Sequence, residues 1–216
     1  MEEIFENIFT DGKKLYTKAL IKEENVYGEK RIELYGIEYR EWDIYRSKLA
    51  VAIKKGIKIM PIKRGAKVLY LGASTGTTVS HVSDIVENGI VFAVEISTKM
   101  MHSLMKLAEK RENIIPILAD ANKPKEYEEI ERVDCIFQDV SQKNQAEILI
   151  KNAKMFLEKG GYAMLCIKSQ SIDVTKDAKN VFKEVEKELE KEFEIIQRFH
   201  LEPYDKEHEF LLLKKK

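Results

Sequence analysis

The chain has 216 residues, of which 44% are hydrophobic and 34% charged, a composition that fits a soluble globular protein of one domain with a small appendage, large enough to bury a substantial core. Lys plus Arg and Asp plus Glu number 37 each, so no overall basic field marks a self-sufficient nucleic-acid binder. No apolar run approaches the roughly 20 residues of a membrane span, and the start, "MEEIFENIF", lacks the basic head of a signal peptide, so a cytoplasmic protein without a membrane role is expected.

Residues 1–43 carry short alternating pieces, "KLYTKAL" and "RIELYGIEYR", broken by charged turns and Gly28. They read as a small N-terminal antiparallel β region. From Ile44 the period lengthens. In "YRSKLAVAIKKGI", Leu49, Ile53 and Ile57 share a helical face, with Gly56 and Pro61 punctuating its end, and a second domain is taken to run over 44–216. Strands are expected at 67–71, 90–95, 114–119, 133–139 and 162–168, separated by helical stretches such as "KMMHSLMKLAEKR". Such alternation predicts a parallel sheet covered by helices on both faces. After the charged helix "KNVFKEVEKELEKEF" come two strands, 194–201 and 209–213, joined by the short turn "EPYDKEH". A parallel crossover needs a dozen or more residues, so this pair must be antiparallel. Five parallel strands and a closing hairpin outline an α/β, Rossmann-like fold of the class I methyltransferase type, a seven-stranded, mostly parallel sheet with an antiparallel last strand. Cys135 and Cys166 lie within apolar strands without metal-ligand spacing, which predicts buried free thiols and no metal site.

The first strand of that sheet runs into "GASTGTT". A strand, a glycine turn and a helix bring bare backbone N–H groups toward a polar ligand. The spacing is not G-x-G-x-x-G, because Ala73, Ser74 and Thr75 separate Gly72 from Gly76, and no Gly-Lys-Ser/Thr of a phosphate loop follows. Ligands of open α/β sheets lie beyond the carboxyl ends of the strands. Those ends carry Glu95, placed for two ribose hydroxyls, Asp120, placed for an adenine amino group, then Asp139 and Lys168.

Together, "VLYLGASTGTTVSHVSDIV", "FAVEIS", "AEKRENIIPILADANKP", "VDCIFQDVSQ", "IKSQSIDVTK" and "LEPYDKEHEF" resemble the archaeal fibrillarin family, the S-adenosyl-L-methionine-dependent 2′-O-methyltransferases of box C/D RNA-guided complexes. The resemblance implies an rRNA/tRNA ribose methyltransferase whose target is chosen by a guide RNA. It also implies two protein partners, a Nop-domain scaffold and a kink-turn-binding protein of ribosomal type. It assigns a catalytic set to Lys48, Asp139, Lys168 and His208. Cofactor contacts fall on Gly72, Thr77 and Thr78 for the methionine and ribose parts, and on Glu95 and Ile96 for ribose and adenine. Asp120 and Ala121 fall at the adenine, and Asp139, Val140, Ser141 and Gln142 beside the methionine. A ribose hydroxyl is a poor nucleophile until it loses its proton, and a lysine accepts that proton near neutral pH only if burial or a second cation discharges it. Lys48 is expected to be that cation for Lys168, and Arg46, Lys168, Lys176 and Lys179 to form a local RNA patch. His81 and His102 read as structural.

Overall fold

The computed structural model describes residues 1–216. The N-terminal strands β1 (Glu2–Phe5), β2 (Ile8–Thr10), β3 (Leu15–Lys18), β4 (Arg31–Leu34) and β5 (Ile37–Trp42) form one antiparallel sheet in the order β1-β2-β3-β5-β4. At the β4–β5 corner Tyr35 and Gly36 both have positive φ, 54° and 76°, as a type I′ hairpin turn requires.

Helix α1 (Lys48–Lys54) follows, with Ser47 as its cap: the Ser47 Oγ accepts the Ala50 N–H at 3.3 Å. The helix is shorter than its apolar spacing predicts. Gly56 adopts φ 90° and turns the chain away, so Ile57 is buried beside the helix and not on it.

The second sheet contains β6 (Lys67–Leu71), β7 (Ile90–Glu95), β8 (Ile114–Leu118), β9 (Val133–Gln138), β10 (Leu157–Lys168), β11 (Phe193–His200) and β12 (His208–Lys215), in the order β11-β12-β10-β9-β6-β7-β8. Strands β6 to β10 pair in parallel, and β12 lies antiparallel between β10 and β11. The mostly parallel sheet with its reversed last strand is therefore as the sequence predicts. Strand β10 starts five residues earlier than expected. Its register on β9 slips between Leu157 and Tyr162, around Gly160 and Gly161, and that irregularity hides its first half from a pattern of alternation.

Alternate residues of each strand feed two apolar layers. Val68 and Tyr70 pack with α1, α2 (Thr77–Val86) and α3 (Thr98–Ala108), while Leu69 and Leu71 pack with α4 (Gln145–Phe156) and α6 (Ala178–Leu189). Between β10 and α6 lies one turn, α5 (Ser169–Ile172). Both cysteines are fully buried and unpaired. No helix is long and apolar enough to cross a membrane.

One buried acid on β12 sets a pH dependence. Glu209 is 2% exposed, lies 3.3 Å from His200 on β11, and its Oε2 has no partner. Burial, with Glu186 adding to it, pushes its pKa up to about 7 from an ordinary 4.5. The folded state thus favours the protonated acid, and this contribution is complete below the unfolded pKa and lost as pH rises through about 7. Glu209→Gln should raise stability at about pH 8 by up to about 2 kcal/mol and by much less at about pH 5, read by urea unfolding. Equal stabilities of the two proteins at the higher pH would remove this role.

Candidate active site

The chain leaves β6 through Gly72, whose φ of 84° suits glycine. A Cβ there would stand 2.5 Å from the Asp139 carbonyl oxygen, so glycine is required by close approach as well. Gly72 and Ala73 donate their N–H groups to Val94 O at 2.9 and 3.0 Å. Gly76, at φ 93°, caps α2 without a side-chain acceptor. Glu95 closes the turn against β7: its Oε2 accepts the Ser74 N–H at 2.7 Å and its Oε1 the Ser97 N–H at 2.8 Å. Each oxygen keeps a second lone pair for a ligand.

Above the turn lies a cleft of about 600 Å³, within the usual range for small-molecule sites. Gly72, Thr77, Thr78, Glu95, Ile96, Ala121, Asp139, Val140, Ser141 and Gln142 all line it. Asp120 does not. Its Oδ1 accepts from Gln142 Nε2 at 2.8 Å and from the Asn122 N–H at 2.9 Å, so it braces Gln142 from behind. Burial opposes its charge, but those hydrogen bonds prevail and lower its pKa. Tyr70, Ala73, Ser74, Thr75, Val94, Met100 and Ala119 also line the cleft and are not singled out by the sequence. Tyr70 and Met100 look like core residues in any pattern of apolar spacing, whereas Ser74 and Thr75 were legible as members of the turn.

At one end of the cleft three charged side chains meet. Lys48 opens α1, Asp139 follows β9 and Lys168 ends β10. Asp139 sits between the lysines, with Oδ2 3.2 Å from Lys48 Nζ and Oδ1 2.9 Å from Lys168 Nζ. Lys168 also donates to Ser141 Oγ at 3.0 Å and to the Asp139 carbonyl at 3.3 Å. Burial disfavours the Asp139 carboxylate, yet the two ammonium groups outweigh it and hold the pKa below the ordinary value. Burial likewise opposes the charge on Lys48, but Asp139, aided by Asp205, raises its pKa above that of an ordinary lysine. The charge expected to discharge Lys168 is therefore itself engaged by two carboxylates. His208 does not line the cleft; it joins the cluster through Asp205, 2.9 Å from its Nδ1 and 3.5 Å from Lys48.

Of the residues expected to form an RNA patch, Arg46 and Lys168 line the cleft. Lys176 is paired with Glu184 at 2.7 Å, and Lys179 is exposed in the first turn of α6. His81 is buried, with Nδ1 2.8 Å from Thr17 Oγ1 and Nε2 2.7 Å from the Tyr27 hydroxyl, and its ring stacks on Trp42 at 4.9 Å. His102, by contrast, is exposed on α3.

Strand order reverses at β6, from which the chain builds β7 and β8 on one side and β9 and β10 on the other, and the cleft opens at that switch point. With β12 alone reversed, this is the architecture of the class I S-adenosylmethionine-dependent methyltransferases. The family profile described as Fibrillarin matches residues 1–216, and the chain belongs to the fibrillarin family. A fibrillarin-like rRNA/tRNA 2′-O-methyltransferase of Methanocaldococcus jannaschii is 55% identical over 215 residues, covering 96% of this chain and 94% of that protein. The structure of Aeropyrum pernix fibrillarin with natively bound S-adenosyl-L-methionine superposes with a TM-score of 0.90 at 40% identity, covering 98% of this chain and 96% of the other. The fibrillarin chain of a fibrillarin/Nop5p complex gives a TM-score of 0.90 at 44% identity, with both chains covered completely.

Proposed function

We propose that the protein methylates ribose 2′-oxygens of rRNA and tRNA, at nucleotides selected by a box C/D guide RNA, within a complex that also holds a Nop-domain scaffold and a kink-turn-binding protein. The observation that carries this reading is the Lys48–Asp139–Lys168 cluster at the end of an adenosine-sized cleft. The names of the M. jannaschii relative and of the Nop5p complex support the substrate and the scaffold.

The cleft fits S-adenosylmethionine on its own chemistry. Gly72 lets the turn close tightly against Asp139 where a Cβ would clash, Glu95 offers buried carboxylate lone pairs for ribose hydroxyls, and Ile96 and Ala121 offer apolar contact for the adenine. Thr77, Thr78 and Asp139 to Gln142 lie where the methionine part is expected, with Asp120 acting through Gln142. When bound, the cofactor supplies an electrophilic methyl group on a sulfonium. The chain's own task is to hold the acceptor hydroxyl in line and ease removal of its proton. Lys168, fixed by Asp139 and Ser141, is the group assigned to orient that hydroxyl, and Lys48 fixes Asp139.

The equal counts of 37 acidic and 37 basic residues fit delivery of the RNA by partners. Phosphate contacts dominate the affinity of stand-alone nucleic-acid binders, and a guide duplex held by a scaffold removes that need. Reconstitution tests the reading directly. The complete particle should methylate only the nucleotide dictated by the guide, while the isolated chain binds cofactor and methylates RNA poorly. Efficient site-specific methylation by the isolated protein would overturn guided selection.

The cofactor assignment makes its own prediction. Glu95→Ala removes a charged acceptor from the ligand and releases the Ser74 and Ser97 N–H groups, so S-adenosylmethionine binding should weaken by at least about 1.5–3 kcal/mol in calorimetry. Wild-type affinity in that variant would place the ribose elsewhere.

A further inference from the structure

The turn between β11 and β12 carries an acid with two partners. Asp205 Oδ2 lies 3.5 Å from Lys48 Nζ, and its Oδ1 lies 2.9 Å from His208 Nδ1. The turn is pinned at several points. The Asp205 N–H donates to Leu201 O at 3.1 Å, the Leu201 N–H to His208 O at 3.0 Å, and the Ser169 hydroxyl to Glu207 O at 3.0 Å.

This geometry fixes the imidazole tautomer. His208 Nδ1 stands 2.6 Å from the Lys206 carbonyl oxygen as well as near the carboxylate. A carbonyl oxygen only accepts, so Nδ1 carries the hydrogen and Nε2 of the neutral ring carries a lone pair. No protein group pairs with Nε2. His208 lies directly opposite Lys168 in the β10–β12 ladder, so the two side chains leave the same face of the sheet as close neighbours. The groups thus form a continuous line: Lys168, Asp139, Lys48, Asp205, His208.

We propose that His208 Nε2 accepts the proton of the attacking 2′-hydroxyl and that Asp205 is the positioning residue that, together with the Lys206 carbonyl, holds His208 in the accepting tautomer and places a carboxylate beside the ring; this rests on the ribose methyltransferase reading above. In the step, the O2′–H bond breaks, an Nε2–H bond forms, and the electron pair remains on O2′, where it takes the methyl group. The imidazolium so formed faces the Asp205 carboxylate, which stabilises it, the arrangement of an Asp–His pair in hydrolases. The lysines are less suited to this task. Lys48 is paired with two carboxylates, which favour its ammonium form, and the Lys168 Nζ already donates to Ser141 and to the Asp139 carbonyl beside the Asp139 carboxylate.

Two measurements test the dyad. The first needs no turnover: 15N NMR of the wild-type chain, with His208 assigned by the signal lost in His208→Gln, should show the neutral ring protonated at Nδ1 and bare at Nε2. A neutral ring protonated at Nε2 overturns the proposal. The second uses particles reconstituted with guide RNA and saturating cofactor. His208→Gln should lower kcat by about 100-fold or more, and Asp205→Asn by about 10- to 100-fold, both with KM for RNA and cofactor affinity close to wild type. Asp205→Glu should recover part of the loss, since it restores a carboxylate to face the imidazolium. If wild-type particles are active and both variants keep the wild-type kcat, the dyad falls and the methyltransferase reading stands. If wild-type particles transfer no methyl group to guided RNA, both fall.

Discussion

Replacing Lys168 by alanine lowers the rate of methyl transfer by about 100- to 10,000-fold while leaving cofactor affinity near the wild-type value. The expectation follows from where this side chain ends. Its Nζ touches Asp139 Oδ1 at 2.9 Å and Ser141 Oγ at 3.0 Å, at the end of the cleft where β10 stops. The cleft's other contacts come from the glycine turn and from the ends of β7, β8 and β9, which the substitution leaves in place. Removing Lys168 also leaves Asp139 with Lys48 as its only cation, so the carboxylate is free to swing toward α1 and misplace the acceptor. Misplacement by about 1 Å alone costs about 100-fold. Single-turnover assays of reconstituted particles, paired with calorimetry of cofactor binding, separate the two effects. A loss of only a few-fold, or a parallel loss of cofactor affinity, would take Lys168 out of the acceptor site.

The parts of this site that the sequence reveals are those that one α/β rule places. A strand buried on both faces reads as an apolar run bounded by turn residues, as in "KVLYLG" and "IVFAVEIS", and the residue after the run must face the ligand end of the sheet. Gly72, Glu95, Asp139 and Lys168 were legible for that reason. Asp205 was not, because its value lies in reaching Lys48 and His208 across a fold, and an acid in a polar turn carries no mark of that. Tyr70 and Met100 were hidden by their apolar surroundings, and the first half of β10 by the slip at its two glycines. In the N-terminal sheet, alternation marked the stretches of β3, β4 and β5 but neither β1 and β2 nor the strand order, since pairing of β3 with β5 across β4 depends on contacts that no local pattern encodes.

The least legible feature is the one that holds the two sheets together, and it yields the largest expected change in stability. Arg40 of β5 and Arg111 after α3 are both fully buried, although arginines in a sequence read as surface residues. They converge on Asp84 of α2: Arg40 Nη1 donates to Oδ2 and Arg111 Nη1 to Oδ1, each at 2.7 Å. The same carboxylate accepts the Thr17 hydroxyl of β3 at 2.7 Å and the Leu20 N–H at 3.0 Å. Glu29 and Glu24 complete the line, 2.6 Å from Arg40 and 2.8 Å from Arg111. Burial works against the charge on Arg40, but Asp84 and Glu29 overcome it and raise its pKa. A buried ion pair as a whole adds little over well-packed apolar residues, yet removing one partner strands the other's charge. Asp84→Ala takes the shared carboxylate from two buried guanidinium groups at once, leaving Arg40 with Glu29 and Arg111 with Glu24 and freeing one buried N–H of each, and Arg111 Nη2 already lacks a partner. The variant should lose about 3–5 kcal/mol, a large share of the 5–15 kcal/mol typical of a folded domain. Because α2 begins at the glycine turn, cofactor affinity should fall with it. Asp84→Asn keeps the side-chain shape and one acceptor, so its loss should be smaller. Glu158→Ala, which removes an exposed partner of Arg132, serves as the control and should change stability by no more than about 0.5 kcal/mol. Urea unfolding reads all three. If Asp84→Ala lost no more than that control, the buried network would be a passenger in the fold and not its fastening.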